Sequence, residues 1–284
     1  MFGLLGPNGA GKTTTLRLIT GILAADAGTV SVLGGEPGAA RDRVGFLPEE
    51  KGLYRRMRVL DVLVYFGRIK GLAKREAIRR ALAWLERLGI ADRGSQRCEE
   101  LSKGLGQKVQ LATTLIHEPE LVILDEPFSG LDPVNVEVVR NVVRDLAREG
   151  RTVLLSTHAM EHAELLCDCL LLLNHGQKVI DGATSTVRTQ GARTVRISYH
   201  GSPAGLHGLP GVTAVRDYGQ HAELTLAEGA DAQCILQALV GRVAIDAFDS
   251  RSASLQEIFL RAVGEDSDAR PPTAVSAPGA GPGE

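Results

Sequence analysis

Cysteine is scarce, aromatic residues are few, no apolar run is long, and neither sign of charge prevails. Each absence removes a class of protein. Four cysteines exclude a disulfide-stapled secreted scaffold. Cys98 and Cys234 stand alone, and Cys167 and Cys169 have no second Cys/His pair beside them, so zinc spacing is missing. They read as plain thiols in a reducing compartment. The longest apolar candidate, Leu165 to Leu173, is broken by Asp168 and falls short of the roughly 18 residues that span a bilayer. Met1 leads directly into a glycine-rich loop without a signal-peptide pattern. The expected location is the cytosol or the cytosolic face of a membrane. With 32 basic and 34 acidic residues, the chain lacks the basic excess of a protein whose main partner is nucleic acid.

What is present is a chain of 284 residues, 44% hydrophobic, enough for one large domain and a small one. Residues 1 to about 188 alternate β-rich apolar runs with helical patterns, which predicts α/β architecture on a parallel sheet. The expected strands are Phe2–Leu5, Val44–Phe46, Leu121–Leu124, Thr152–Ser156 and Cys169–Leu173. Val59 to Arg97 carries helical periodicity and no strand signal, a helical insertion within a subdomain of about 59–118. Its basic residues (Arg68, Lys70, Lys74, Arg75, Arg79, Arg80 and Arg87) read as a solvated face. Residues about 189–264 form a small α+β domain, with strands at Thr194–Tyr199 and Ala222–Leu226 and helices at Asp231–Val240 and Ser254–Val263. Residues 265–284, rich in proline and glycine, are expected to be disordered.

Gly6-Pro7-Asn8-Gly9-Ala10-Gly11-Lys12-Thr13 fits the phosphate-cradling pattern G-x-x-x-x-G-K-[ST] in full, followed by Thr14. A strand runs in, and a helix beginning near Lys12 runs out through Leu16, Ile19 and Ile22. Gly9 and Gly11 let backbone N–H groups converge on phosphate oxygens, and the helix N-terminus adds partial positive charge. Lys12 places an ammonium on the β- and γ-phosphates, and Thr13 offers a hydroxyl to Mg2+. Leu121-Val122-Ile123-Leu124 is a strand buried on both faces, ending in Asp125 and Glu126. Asp125 suits Mg2+, and Glu126 suits polarisation of an attacking water. Adjacent strand residues point to opposite sides, which favours two roles.

Ser102-Lys103-Gly104 caps a helix at Gln107 to Leu115; Ser129-Gly130-Leu131-Asp132 follows the acid pair, and Ser156-Thr157-His158 ends the next strand. Taken in this order, residues 1 to about 188 resemble the ATP-binding subunit of ABC transporters. The resemblance implies an ATPase that uses ATP and Mg2+. It implies that Ser102 and Gly104 bind the γ-phosphate held by the opposite subunit, that Asp132 crosses the dimer interface, and that His158 contacts the γ-phosphate. The other six histidines, His117 and His162 among them, keep a structural reading. The implied partners are a separate integral membrane permease and a second ATP-binding subunit, identical or a close paralogue, with the chain peripheral on the cytoplasmic face. The groove around Glu49 and the helical insertion is the implied docking surface. The C-terminal extension and the run Leu47-Pro48-Glu49-Glu50-Lys51-Gly52-Leu53-Tyr54 resemble a bacterial branch of sodium-extrusion and drug-export type.

Three departures from that pattern carry expectations. Glu49 stands where most members have glutamine; it keeps an oxygen for Mg2+ and adds charge, so Mg2+ dependence should differ. In the signature, Lys103 replaces a usual glycine and Leu105 a usual glutamine. Members also carry leading strands and an aromatic residue that stacks on adenine, and this sequence begins inside the phosphate-loop strand. Stacking is worth roughly 1–3 kcal/mol, so affinity is expected to be lower by about fivefold to over a hundredfold, with apolar sheet surface uncovered. The expectation is an upstream start or a truncated copy. Two rival functions follow: a soluble ABC-type ATPase acting on ribosomes or DNA, and a nucleotide-binding regulatory subunit with little turnover. The first usually has two such domains or a long coiled coil, which this chain lacks. Intact Lys12, Asp125, Glu126 and His158 oppose the second.

Overall fold

The computed structural model describes residues 1–50, 52–189, 193–227, 229–251 and 253–268. The chain divides into two units, Met1–Gln190 and Gly191–Glu284.

Unit 1 is built in the order β1 (Phe2–Leu5), α1 (Lys12–Ile19), β2 (Val44–Leu47), α2 (Val59–Ile69), α3 (Lys74–Arg87), α4 (Lys103–Leu115), β3 (Leu121–Asp125), α5 (Pro133–Arg148), β4 (Thr152–Thr157), α6 (Met160–Leu166), β5 (Cys169–Asn174), β6 (Gln177–Ala183) and α7 (Thr184–Thr189). The strands form one sheet in the order β2-β3-β4-β1-β5-β6. All neighbours are parallel except β5 and β6. Every residue of β3 is buried, as an apolar strand between two parallel neighbours requires. The sequence reading did not foresee β6. It returns antiparallel through the tight turn His175-Gly176, whose φ values of 48° and 76° suit a two-residue hairpin. α1 is shorter than expected: it stops at Ile19, and Ile22 lies beyond it, exposed.

The helical insertion is α2 and α3, which pack closely at Gly67. A Cβ there would meet Ala77 Cβ at 3.2 Å and Leu72 Cδ1 at 3.3 Å. Of its basic residues, Arg68, Lys74 and Arg75 lie exposed, and the others have local partners. Arg79 and Arg80 each reach Glu76 at 2.6 Å, and Arg87 joins α3 to Asp145 of α5 at 3.3 Å and to Glu149, just past its end, at 3.1 Å. Lys70 donates to the carbonyls of Arg41 and Val44.

Unit 2 comprises β7 (Thr194–His200), β8 (Val212–Asp217), β9 (His221–Leu226), α8 (Ala232–Leu239), β10 (Ala244–Arg251) and α9 (Leu255–Asp268). Its antiparallel sheet has the order β10-β7-β9-β8. Val195, Ile197 and Tyr199 alternate inward on β7, as do Ala222, Leu224 and Leu226 on β9, and they pack with Ile235 and Leu239 of α8. Asp231 caps α8, accepting from Gln233 N at 2.9 Å. Ser254 and Glu257 cap α9 reciprocally, at 3.2 and 2.9 Å. α9 continues to Asp268, past the expected start of the tail; 269–284 lie outside the described residues.

Candidate nucleotide site

β1 lies between β4 and β5, so its carboxyl end opens into the middle of the sheet's edge, where α/β proteins place ligands. The loop that follows needs glycine. A Cβ on Gly6, at φ 150°, would sit 2.3 Å from the Leu173 carbonyl oxygen. Gly11, at φ 102°, is the N-cap of α1 and offers no side chain to its first turn, leaving those N–H groups for an anion. Lys12 is only 7% exposed, and its Nζ donates to the carbonyls of Gly6 (2.7 Å) and Pro7 (3.1 Å). The loop thus holds the ammonium in place through its own backbone.

Asp125 and Glu126 face this loop with different partners. Asp125 Oδ2 accepts from Thr13 Oγ1 at 3.2 Å and its Oδ1 from Ser156 Oγ at 2.8 Å. A hydroxyl and a carboxylate oxygen this close are hard oxygen donors of the kind Mg2+ takes. Glu126 Oε2 accepts from Thr157 Oγ1 at 3.1 Å; its Oε1 accepts from His158 N at 2.8 Å and lies 2.7 Å from His158 Nδ1. The acids diverge for a reason the sequence did not reveal. β3 ends at Asp125, and Glu126 turns into the left-handed region at φ 48°, a conformation that costs a non-glycine residue roughly 1–3 kcal/mol. The bond from Glu126 N to the Ser156 carbonyl, 2.9 Å, helps hold that turn.

Asn8, Gly9, Ala10, Gly11, Lys12, Thr13, Thr14, Glu49, Asp125 and Glu126 line one cavity of about 360 Å³. Gly6 and Pro7 reach it through Lys12, and His158 through Glu126. Ser102, Gly104 and Asp132 do not line it; they gather elsewhere on unit 1. Ser102 caps α4, its Oγ accepting from Leu105 N at 3.3 Å, and a Cβ on Gly104 would touch Leu131 Cδ2 at 3.4 Å and Asn135 Nδ2 at 3.7 Å. Asp132 caps α5 through Asn135 N at 3.0 Å, a bond that holds its carboxyl below the usual range.

Three contributors escaped the sequence reading. Ser156 and Thr157 were visible as polar residues at the end of a buried strand, but their acid partners lie 31 positions away. Gln110, buried in α4, donates to the Glu50 carbonyl at 2.9 Å and so ties the Glu49 loop to the helical subdomain. His117 and His162 keep structural surroundings: burial lowers both pKa values, and His162 packs on Phe128 with ring centroids 4.5 Å apart. All four cysteines are free, and burial pushes the Cys167 thiol up to about 12.

Residues 1–129 match the ABC transporter family, and residues 182–263 match the family described as ATP-binding protein DrrA1-3-like, C-terminal domain. An uncharacterized ABC transporter ATP-binding protein of Bacillus subtilis is 42% identical over 93% of this chain and 89% of its own. A Nod factor export ATP-binding protein I of a Rhizobium species is 35% identical over 93% of this chain and 88% of its own. A solved ATP-binding subunit of an ABC transporter superposes with TM-score 0.62 at 32% identity, over 67% of this chain and 81% of that one. Phosphate loop, acid pair, helical subdomain and these likenesses agree: the chain belongs to the ATP-binding subunits of ABC transporters, ATPases that partner a membrane permease.

Proposed function

We propose that two ATP-binding subunits, copies of this chain or close paralogues, close head to tail around two Mg·ATP and so drive an exporting permease. The observation that carries this reading is the separation of the site into two clusters. One holds the phosphate loop and the acids; the other sets Gly104 and Asp132 around Leu131 and Asn135, with Ser102 capping the helix that carries Gly104. Each is half of a site, and a second subunit supplies the complement.

In this reading Gly9 to Thr14 bind the phosphates through backbone N–H groups, and Lys12 releases its two carbonyls to hold the β- and γ-phosphates. Thr13 and Asp125 hold Mg2+, with Glu49 adding an oxygen. When bound, Mg2+ supplies positive charge against which the transferring phosphoryl group is stabilised. Glu126 takes the proton of the attacking water, and His158 leaves Glu126 to contact the γ-phosphate. Ser102 and Gly104 meet that phosphate from the opposite subunit, with Asp132 at the seam.

The permease docks on unit 1, where a cavity of about 460 Å³ runs between the end of α1, β2 and the helical subdomain, lined by Ile19, Ile22, Phe46, Phe66 and Thr114. The nearby Tyr54, Tyr65 and Phe66 form an aromatic cluster, with Tyr54 and Tyr65 5.4 Å apart and both exposed. Gln110 links this region to the loop of Glu49, which supports mechanical coupling. Among the described residues no helix is long and apolar enough to cross a membrane, which suits a peripheral subunit on the cytoplasmic face. The direction of transport follows the export relatives. The test is the Glu126→Gln variant with Mg·ATP on size exclusion. It should elute as a dimer with ATP and as a monomer without; a monomer under both conditions contradicts head-to-tail closure.

A further inference from the structure

Ser156 and Thr157 are consecutive on β4, and each holds a different carboxylate. Consecutive strand residues point to opposite sides, and β4 lies in parallel register with β3, Ser156 opposite Asp125. Ser156, fully buried, gives its hydroxyl proton to Asp125 Oδ1 at 2.8 Å. Thr157, 1% exposed, reaches past it to Glu126 Oε2 at 3.1 Å.

The Thr157 hydroxyl has no freedom of direction. Its oxygen accepts from Ala159 N at 3.0 Å, so its single proton is committed to Glu126. The opposite oxygen of Glu126 is held by the His158 backbone N–H and by the His158 ring. The ring is the exposed member of this set, with 57% of the side chain accessible. Once it turns toward a phosphate, the hydroxyl of Thr157 and the His158 N–H are what remain to orient the carboxylate.

We propose that β4 carries a pair of positioning residues, Thr157 for Glu126 and Ser156 for Asp125, and that Thr157 fixes the aim of Glu126. This rests on the reading of Glu126 as the base. The experiment compares Thr157→Val, Thr157→Ser, Ser156→Ala and Glu126→Gln in the full chain, by steady-state Mg·ATP hydrolysis and by binding of a fluorescent ATP analogue over Mg2+ concentration. Thr157→Val should lower kcat about tenfold to a hundredfold, within what general-base catalysis contributes, with KM within about twofold of wild type. Thr157→Ser should restore kcat. Ser156→Ala should instead raise the Mg2+ concentration needed for analogue binding. A Thr157→Val enzyme with wild-type kcat, beside an inactive Glu126→Gln, overturns the inference alone. Equal loss in Thr157→Ser and Thr157→Val overturns it as well, since bulk at the strand rather than the hydroxyl would then matter. Wild-type turnover in Glu126→Gln overturns the base assignment, and the inference with it.

Discussion

Among the described residues, the buried polar and charged side chains all lie in unit 1, between Lys12 and Thr184, whereas the core of unit 2 from Val195 to Val243 is apolar. Burying such groups costs free energy unless each finds a partner. At the candidate site of unit 1 the partners are there: carbonyls for Lys12, hydroxyls for Asp125 and Glu126. Unit 2 keeps its charges on the outer face, where Arg196 meets Glu223 at 2.6 Å, and His200 meets Asp246 at 3.0 Å in the open. Tyr199 comes nearest to an exception, its ring buried and its hydroxyl on Asp217 at 2.9 Å. Unit 1 therefore carries the candidate nucleotide site. Unit 2 holds a sheet stabilised in the ordinary way, by apolar burial.

The comparison can be broken first at the core of unit 2. Leu224→Ala removes a fully buried side chain from β9 and should cost about 2–5 kcal/mol. Affinity of unit 1 for a fluorescent ATP analogue should be unchanged, as expected of domains with separate cores. A parallel loss of affinity in calorimetry and binding titrations would show that the units do not divide the labour as described.

A smaller effect sharpens the contrast between their histidines. Burial first, and Lys70 second, lowers the pKa of His117 from 6.5 to about 4, against the opposing Val44 carbonyl and Asp42. Between those values the unfolded chain binds more protons than the folded one, so stability falls as pH drops from about 6.5 toward 4. His117→Gln should flatten that fall in urea-melt midpoints measured across the range. Equal slopes in variant and wild type would remove His117 from the account.

Much of unit 1 was legible because its elements obey one rule each. β3 is apolar from Leu121 to Leu124, the loop after β1 keeps its glycines where φ is positive, and α2 and α3 show helical periodicity. The strands that escaped notice are edges or irregular. β6 is half exposed and contains Gly182; β8 buries no residue fully; β10 has a bulge between Ile245 and Ala247 that breaks its alternation. The site divides in the same way. Lys12, Thr13, Asp125, Glu126 and His158 follow from local patterns, while the partnerships of Ser156, Thr157 and Gln110 arise from strand register and helix packing that no spacing encodes.

The central claim is that a working site needs a phosphate loop from one subunit and Ser102 with Gly104 from another. It is tested most directly by Mg·ATP hydrolysis of the purified chain against protein concentration, with Lys12→Ala as the blank. The account predicts a rate that rises more steeply than linearly with concentration and is absent from the blank. A rate strictly proportional to concentration, or no greater than the blank, would contradict it.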